Sequence, residues 1–292
     1  ASGSTGGGSV RIGGDYQGAN ADLANASATD VSGIVKADAT LDGDGGRVIL
    51  WADGDTTFTG QITASGAGAG KGGFAEVSGK QNLLYRGLAE LSGPGGGGEL
   101  LLDPANVTIS YVSPNTTLSA AGDADGDNNL EAGESSGSDV TVSPTAITTL
   151  LNAGTSVTIE AGTDITVDGA IAKTGGGDAT LTLTAGDDVA VNQTIVGGVG
   201  QLGVTITADS DTSSAGNVTI GAVIQTNGGA FSSSGVNYTQ NSAILTNAAS
   251  TNGAVTINHT GTVAINDNVG TSGSLSGAVS VTGTGGITLG GD

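Results

Sequence analysis

The feature that most constrains this chain is a spacing. Short alternating apolar runs recur at Val157-Thr158-Ile159, Ile165-Thr166-Val167, Leu181-Thr182-Leu183 and Val189-Ala190-Val191. Within each pair the offset is 8 residues (157 to 165, 181 to 189), and between pairs it is 24 (157 to 181, 165 to 189). The same steps return at Val255, Val263, Val279 and Ile287. Between the two series the register drifts through Val204-Thr205-Ile206, Val218-Thr219-Ile220 and Val236-Asn237-Tyr238. Period-two alternation puts every second side chain on one face of a strand. Several short strands inside a fixed period indicate a solenoid, whose coils cannot bury their apolar faces alone and therefore stack. An antiparallel β-sandwich also strings short strands together, but nothing in it holds the 8 and 24 spacing. We therefore expect an all-β parallel β-helix (β-solenoid) of about a dozen coils.

The composition suits a thin core. Only 36% of residues are hydrophobic and 3% aromatic, and the apolar set is mostly Val, Ile, Ala and Leu, which fit a pleated surface. Glycine is abundant at 55 residues while proline is scarce at 4, which excludes collagen-like and Pro-rich linker chains. Gly, Asn, Asp and Ser clusters between the runs supply turn conformations. Asn and Thr at strand ends are expected to form ladders, because equivalent positions stack from coil to coil.

The net charge is −21, from 28 acidic and 7 basic residues, and only Lys173 of the basic set lies beyond residue 90. Nucleic-acid binding needs a basic stripe that releases counterions, so that class is excluded. There is no Cys, hence no disulfide framework and no thiolate. The chain starts without Met and shows no signal peptide or apolar run of transmembrane length, which reads as a soluble piece with a processed or truncated start.

Three stretches differ in texture. Residues 1–110 are Gly-rich, with strand candidates at Val10–Ile12, Val48–Trp51, Thr57–Thr59, Phe74–Val77 and Glu99–Leu102. Within them Pro94 and Gly95–Gly98 read as a turn or a flexible joint. Residues 111–139 form an inserted acidic loop, and 140–292 carry the regular repeat.

The sharpest chemical motif lies in that insertion. Asp123, Asp125, Asp127, Glu131 and Glu134 fall at positions 1, 3, 5, 9 and 12 of an EF-hand-type loop, with Asn129 at position 7 where a backbone carbonyl serves. Hard oxygen ligands on a flexible loop suit Ca²⁺, bound as a structural ion; the alternative is a solvated acidic loop. Asp42-Gly43-Asp44 and Gly175–Asp178 lack a tandem nonapeptide period and read as solvated turns.

No catalytic set emerges, and we expect no enzyme activity. Asp187-Asp188 is an adjacent acidic pair in the repeat, but strand neighbours point to opposite faces, so a turn after Ala185-Gly186 is the better reading. His259, the single histidine, has no recognisably spaced Cys, Lys or Ser and reads as a surface or turn residue. Trp51 and Phe58 read as coil-filling core.

Five blocks carry a family resemblance: IGGDYQG (Ile12 to Gly18), GDGGRVILWADGDTTFTGQITASG (Gly43 to Gly66), GGFAEVSGK (Gly72 to Lys80), LLLDPANVTI (Leu100 to Ile109) and LTLTAGDDVAVNQTI (Leu181 to Ile195). Together they resemble the filamentous haemagglutinin-type adhesins of two-partner secretion. The resemblance implies a right-handed parallel β-helix, secreted to the surface of a Gram-negative-type bacterium through an outer-membrane pore partner. It implies cell adhesion to a host or bacterial surface receptor. The family's secretion domain and a receptor-binding motif are not recognisable, so the resemblance supplies a class of function and no ligand. A second expectation is a homo-polymer: unpaired strand edges on terminal coils template end-to-end stacking into an extracellular filament.

Overall fold

The computed structural model of the chain describes residues 1–85, 87–103, 106–110, 139–248, 251–270 and 277–290. The strands pair in parallel and stack coil upon coil as a β-solenoid, as the spacing predicts. The chain divides into two compact units, Ala1–Ala146 and Ile147–Asp292.

In the second unit the 24-residue period resolves into coils of three strands. One coil is Ser156–Ala161, Ile165–Val167 and Ile171–Lys173; the next is Ala179–Ala185, Val189–Val191 and Ile195–Gly197. Register places Val157 beside Leu181, Ile165 beside Val189 and Ile171 beside Ile195, so each face becomes one parallel sheet. The inward positions Val157, Ile159, Ile165, Val167 and Ile171 are all fully buried, while the threonines between them are half-buried. Each such side chain contributes roughly 1.5–3 kcal/mol by leaving water. The β-branched ones also arrive with χ1 already restricted, which suits a strand.

The register drift has a local cause. Val189 pairs with Val218 and Val218 with Tyr238, steps of 29 and 20 residues (189 to 218, 218 to 238). The long step contains the extra segment between the strands Leu202–Thr207 and Asn217–Ile220. The short step reflects a coil in which Phe231–Gly235 runs almost directly into Asn237–Gln240. Val236 therefore sits at a corner, and Tyr238 and Gln240 are the inward residues.

One element departs from the expected strands. Pro144–Asn152 is an α-helix whose Ile147, Leu150 and Leu151 are buried. Thr148 Oγ1 accepts the Ala172 N–H at 3.4 Å, and Asn152 Oδ1 accepts those of Thr174 and Gly175 at 2.7 and 3.0 Å. The helix thus completes the edge of the third face beside Ile171–Lys173. Proline in the first turn and Gly154 past the end, at φ +77°, are the usual start and stop.

The first unit has complete coils at Ser9–Ile12/Ala28–Val31/Ile34–Lys36, Arg47–Ala52/Asp55–Phe58/Gln61–Thr63 and Phe74–Gly79/Asn82–Tyr85/Leu88–Glu90. Glu99–Leu102 then pairs with Phe74–Val77, and Asn106–Ile109 with Asp139–Val142. Pro94–Gly98 is a turn and not a joint, since the Gly95 N–H donates to Gly70 O at 2.9 Å, on the coil before. Fewer coils are described than the dozen expected, because the loops and the helix use residues that a strict 24-residue repeat would spend on strands.

Candidate functional site

The Ca²⁺ ligands read from the sequence, Asp123, Asp125, Asp127, Asn129, Glu131 and Glu134, lie outside the described residues. Among the described residues no group of three or more His, Cys, Asp or Glu side chains is placed to hold a metal.

The exposed acidic turns do have a defined task. Asp44 Oδ1 accepts the Lys71 N–H at 2.8 Å, Asp178 Oδ1 that of Gln201 at 2.8 Å, and Asp164 Oδ1 that of Asp188 at 3.0 Å. Each carboxylate clasps a backbone N–H one coil further on. Asp188 Oδ1 in turn accepts from the Asn217 N–H and Nδ2 at 2.7 and 2.8 Å, Asn237 Nδ2 donates to Asn217 Oδ1 at 2.9 Å, and Thr262 N–H donates to Asn237 Oδ1 at 2.9 Å. This is the expected polar ladder, and Asn241–Asn266 continues the motif at another corner. Asp187 and Asp188 lie in the turn after Gly186, as read. The Asp187 carboxyl is pushed up from its ordinary value by desolvation and then by the charges of Asp188, Asp164, Asp211 and Asp209.

His259 overturns the surface reading: it is 1% exposed, inside the coil stack. Its register neighbours on the two adjoining strands are Gly235 and Gly283, so the imidazole takes the room that two missing side chains leave. Nε2 shares a hydrogen bond of 3.0 Å with Ser233 Oγ, and the ring lies 5.1 Å from that of Tyr238. Tyr238 donates to Gln240 Oε1 at 3.3 Å, and Gln240 Nε2 donates to the Asp267 and Asn268 carbonyls. Burial pushes the imidazole down to about 4. A serine and a histidine at this distance resemble a nucleophile and its base, but Ser233, like His259, is 1% exposed and closed off from solvent. Lys173 is buried as well, its Nζ donating to the carbonyls of Gly175, at 2.8 Å, and Val199. Both residues close gaps in the stack.

Phe58 is core, as read, 5.5 Å from the Tyr85 ring. Trp51 is buried in a different layer. It alternates with the inward Leu50 and Ala52, so it lies on the outer face of the first sheet, under a loop that runs from Gly13 to Ala26. The Ala26 N–H donates to Gly13 O at 2.6 Å and closes the loop's base. Side chains added at Gly14 or Gly18 would come within 2.6 Å of the indole, so the loop backbone passes directly over it. Trp51 Nε1 and Asn25 Nδ2 both donate to Asp53 Oδ1, at 3.4 and 3.0 Å. The Arg47 guanidinium sits 4.8 Å from the Tyr16 ring and 4.5 Å from that of Phe74, a cation between two aromatic faces.

Beneath the same loop Glu76 is fully buried, its Oε1 and Oε2 accepting the Gln17 N–H at 3.0 and 3.3 Å. Beside the loop a cleft of about 570 Å³ is lined by Arg11, Asp15, Asn20, Asp22 and Asn25. Arg11 Nε donates to Asp15 Oδ1 at 2.8 Å, and with Asn20 it holds the Asp15 carboxyl well below the usual range. This loop-covered outer face is the most elaborated surface among the described residues. Sequence reasoning missed it, although Gly13, Gly14 and Gly18 around Tyr16, a coil before the single tryptophan, were its visible signal.

The chain matches no family model and no curated protein.

Proposed function

We propose that this chain is a rod segment of a secreted bacterial surface adhesin, with a structural and cell-adhesive role and no catalysis. The observation that carries the reading is the coincidence of motif and coil. The block Gly43 to Gly66, the longest of those resembling filamentous haemagglutinin-type adhesins, spans one whole coil, Arg47–Ala52, Asp55–Phe58 and Gln61–Thr63. The block Gly72 to Lys80 opens the next coil at Phe74–Gly79. A stack held by backbone ladders and Asx clasps persists outside the cell without disulfides. In this reading the parent protein leaves through an outer-membrane pore partner and meets a receptor on a host or bacterial surface.

A specific observation keeps the filament reading alongside it. On the strands Val279–Gly283 and Gly286–Leu289, Val279 is 51%, Ile287 47% and Leu289 76% exposed, although each pairs with a core position, Val255, Val263 or Ile265, of the preceding coil. Another coil, from the same polypeptide or from a second copy, would cover them.

Negative-stain electron microscopy of the purified chain, with and without Ca²⁺, separates the two. Short single rods together with retention of chain-coated beads on cells support the adhesin segment. Long filaments of solenoid width support polymerisation, and filaments only with Ca²⁺ would assign that role to the Asp123 to Glu134 loop. Globules without adhesion would sink both.

A further inference from the structure

Glu76 stands on the outer face of the first sheet, in register with Ile49 on one side and Leu101 on the other, both buried. A carboxylate in such a place needs a paired charge or several hydrogen bonds. The groups that face it are the Gln17 N–H from the loop, Ser78 from its own strand, Arg47 from the neighbouring strand and Asp103 from the segment after Leu102. Arg47, the cation among them, has its guanidinium between the Tyr16 and Phe74 rings. The loop reaches Glu76 by holding Gln17 at φ +51°, a left-handed conformation that a non-glycine residue adopts only when its surroundings compel it. Loop, Arg47 stack and Glu76 therefore form one assembly, in which the loop supplies both the lid and the hydrogen-bond donor.

We propose that the loop from Gly13 to Ala26 is a pH-operated latch over the outer face of the first sheet, closed while Glu76 keeps its proton and released when that proton leaves. Burial is the largest influence on this group and pushes it up to about 7; Asp103 acts in the same direction, against the Gln17 N–H and Arg47. Opening the loop lets water reach the carboxyl and returns it towards its ordinary value of 4.5. Between pH 5 and pH 8 the ratio of open to closed loop therefore rises on the order of a hundredfold. Opening uncovers Trp51 and dismantles one wall of the cleft. The latch goes beyond the adhesin reading and does not depend on it.

Hydrogen exchange on the full chain reads this directly. After correction for intrinsic rates, protection of the loop amides, Gln17 among them, should fall on the order of a hundredfold from pH 5 to pH 8. Amides of Val48–Leu50 should hold theirs. Acrylamide quenching of Trp51, the single tryptophan, should rise over the same range. His259 does not titrate there, since burial holds it near 4. In Glu76→Gln the loop should stay protected at every pH. Loop protection in the wild type that ignores pH, or an unchanged fall in Glu76→Gln, overturns the latch. If that variant does not fold, the wild type decides through the carboxyl itself, followed by carbon-13 NMR of Glu76. A Glu76 midpoint that coincides with the fall in loop protection supports the latch, and a midpoint at its ordinary 4.5 overturns it.

Discussion

The first sheet of the N-terminal unit and the corresponding sheet of the C-terminal unit are built from the same parallel ladder, yet they meet water differently. In Ser156–Ala161 buried and half-buried residues alternate strictly, so one face is core and the other solvent. In Arg47–Ala52 every residue after Arg47 is buried, because the loop covers the outer face as well. A solenoid strand with one covered face advertises itself as V-x-V. A strand with two covered faces reads as the unbroken run Val48-Ile49-Leu50-Trp51, whose period tells nothing about which side is inside. The same stacking principle thus yields a legible repeat in one unit and an illegible one in the other.

That contrast can be broken experimentally, beginning with the packing of both layers. Leu183→Ala, in the interior of the second unit, should cost about 3–5 kcal/mol in chemical denaturation. Ile49→Ala should cost about 2–4 kcal/mol if the outer layer is true core, and far less if the loop rests loosely on it.

Acid and base should then act on the two units in opposite senses. Glu76 is raised from 4.5 to about 7, so its contribution to stability is full below pH 4.5 and is lost as pH rises through 7. His259 is lowered from 6.5 to about 4, so its contribution is full above pH 6.5 and is lost as pH falls through 4. Each effect is worth up to roughly 3 kcal/mol over its window. Hydrogen exchange resolved by unit, at pH 4.5, 6 and 8, should show the loop-covered sheet weakening towards alkaline pH and the Ser233–Tyr238–His259 region weakening towards acid. His259→Gln should remove only the acid limb.

Smaller effects test the polar ladder against the solvent face. Asn237→Ala breaks contacts to Asn217 and Thr262 and should cost about 1–2 kcal/mol in thermal or urea unfolding. Thr182→Ala, on the half-buried side of its strand, should stay within about 0.5 kcal/mol of wild type. A large loss there would mean that this face is covered too.

Much of the fold was written in residues that repeat. Val157 and Leu181 occupy one rung position, as do Ile165 and Val189, and their spacing alone assigns it. The asparagine rungs Asn217–Asn237 and Asn241–Asn266 were legible for the same reason, since stacked turns bring like residues together. The helix Pro144–Asn152 was legible in principle, through Ser143-Pro144 at its start, Ile147, Leu150 and Leu151 on one face, and Gly154 after it. The strand pattern on either side masked it. His259 was not legible, because its burial depends on Gly235 and Gly283, 24 residues away on each side, being small at the same register position.

By itself, the sequence determined the parallel coil, its period, its thin aliphatic core and its acidic, cysteine-free surface, because each follows from local alternation and composition summed along the chain. Only the tertiary structure decided that Trp51, Ile49 and Glu76 lie beneath a loop, that Lys173 and His259 are interior, and that the exposed aspartates clasp the next coil. Those outcomes depend on which segment packs over which, and a one-dimensional pattern holds no record of a cover that arrives from thirty to sixty residues away (Gly18 over Trp51, Gln17 on Glu76).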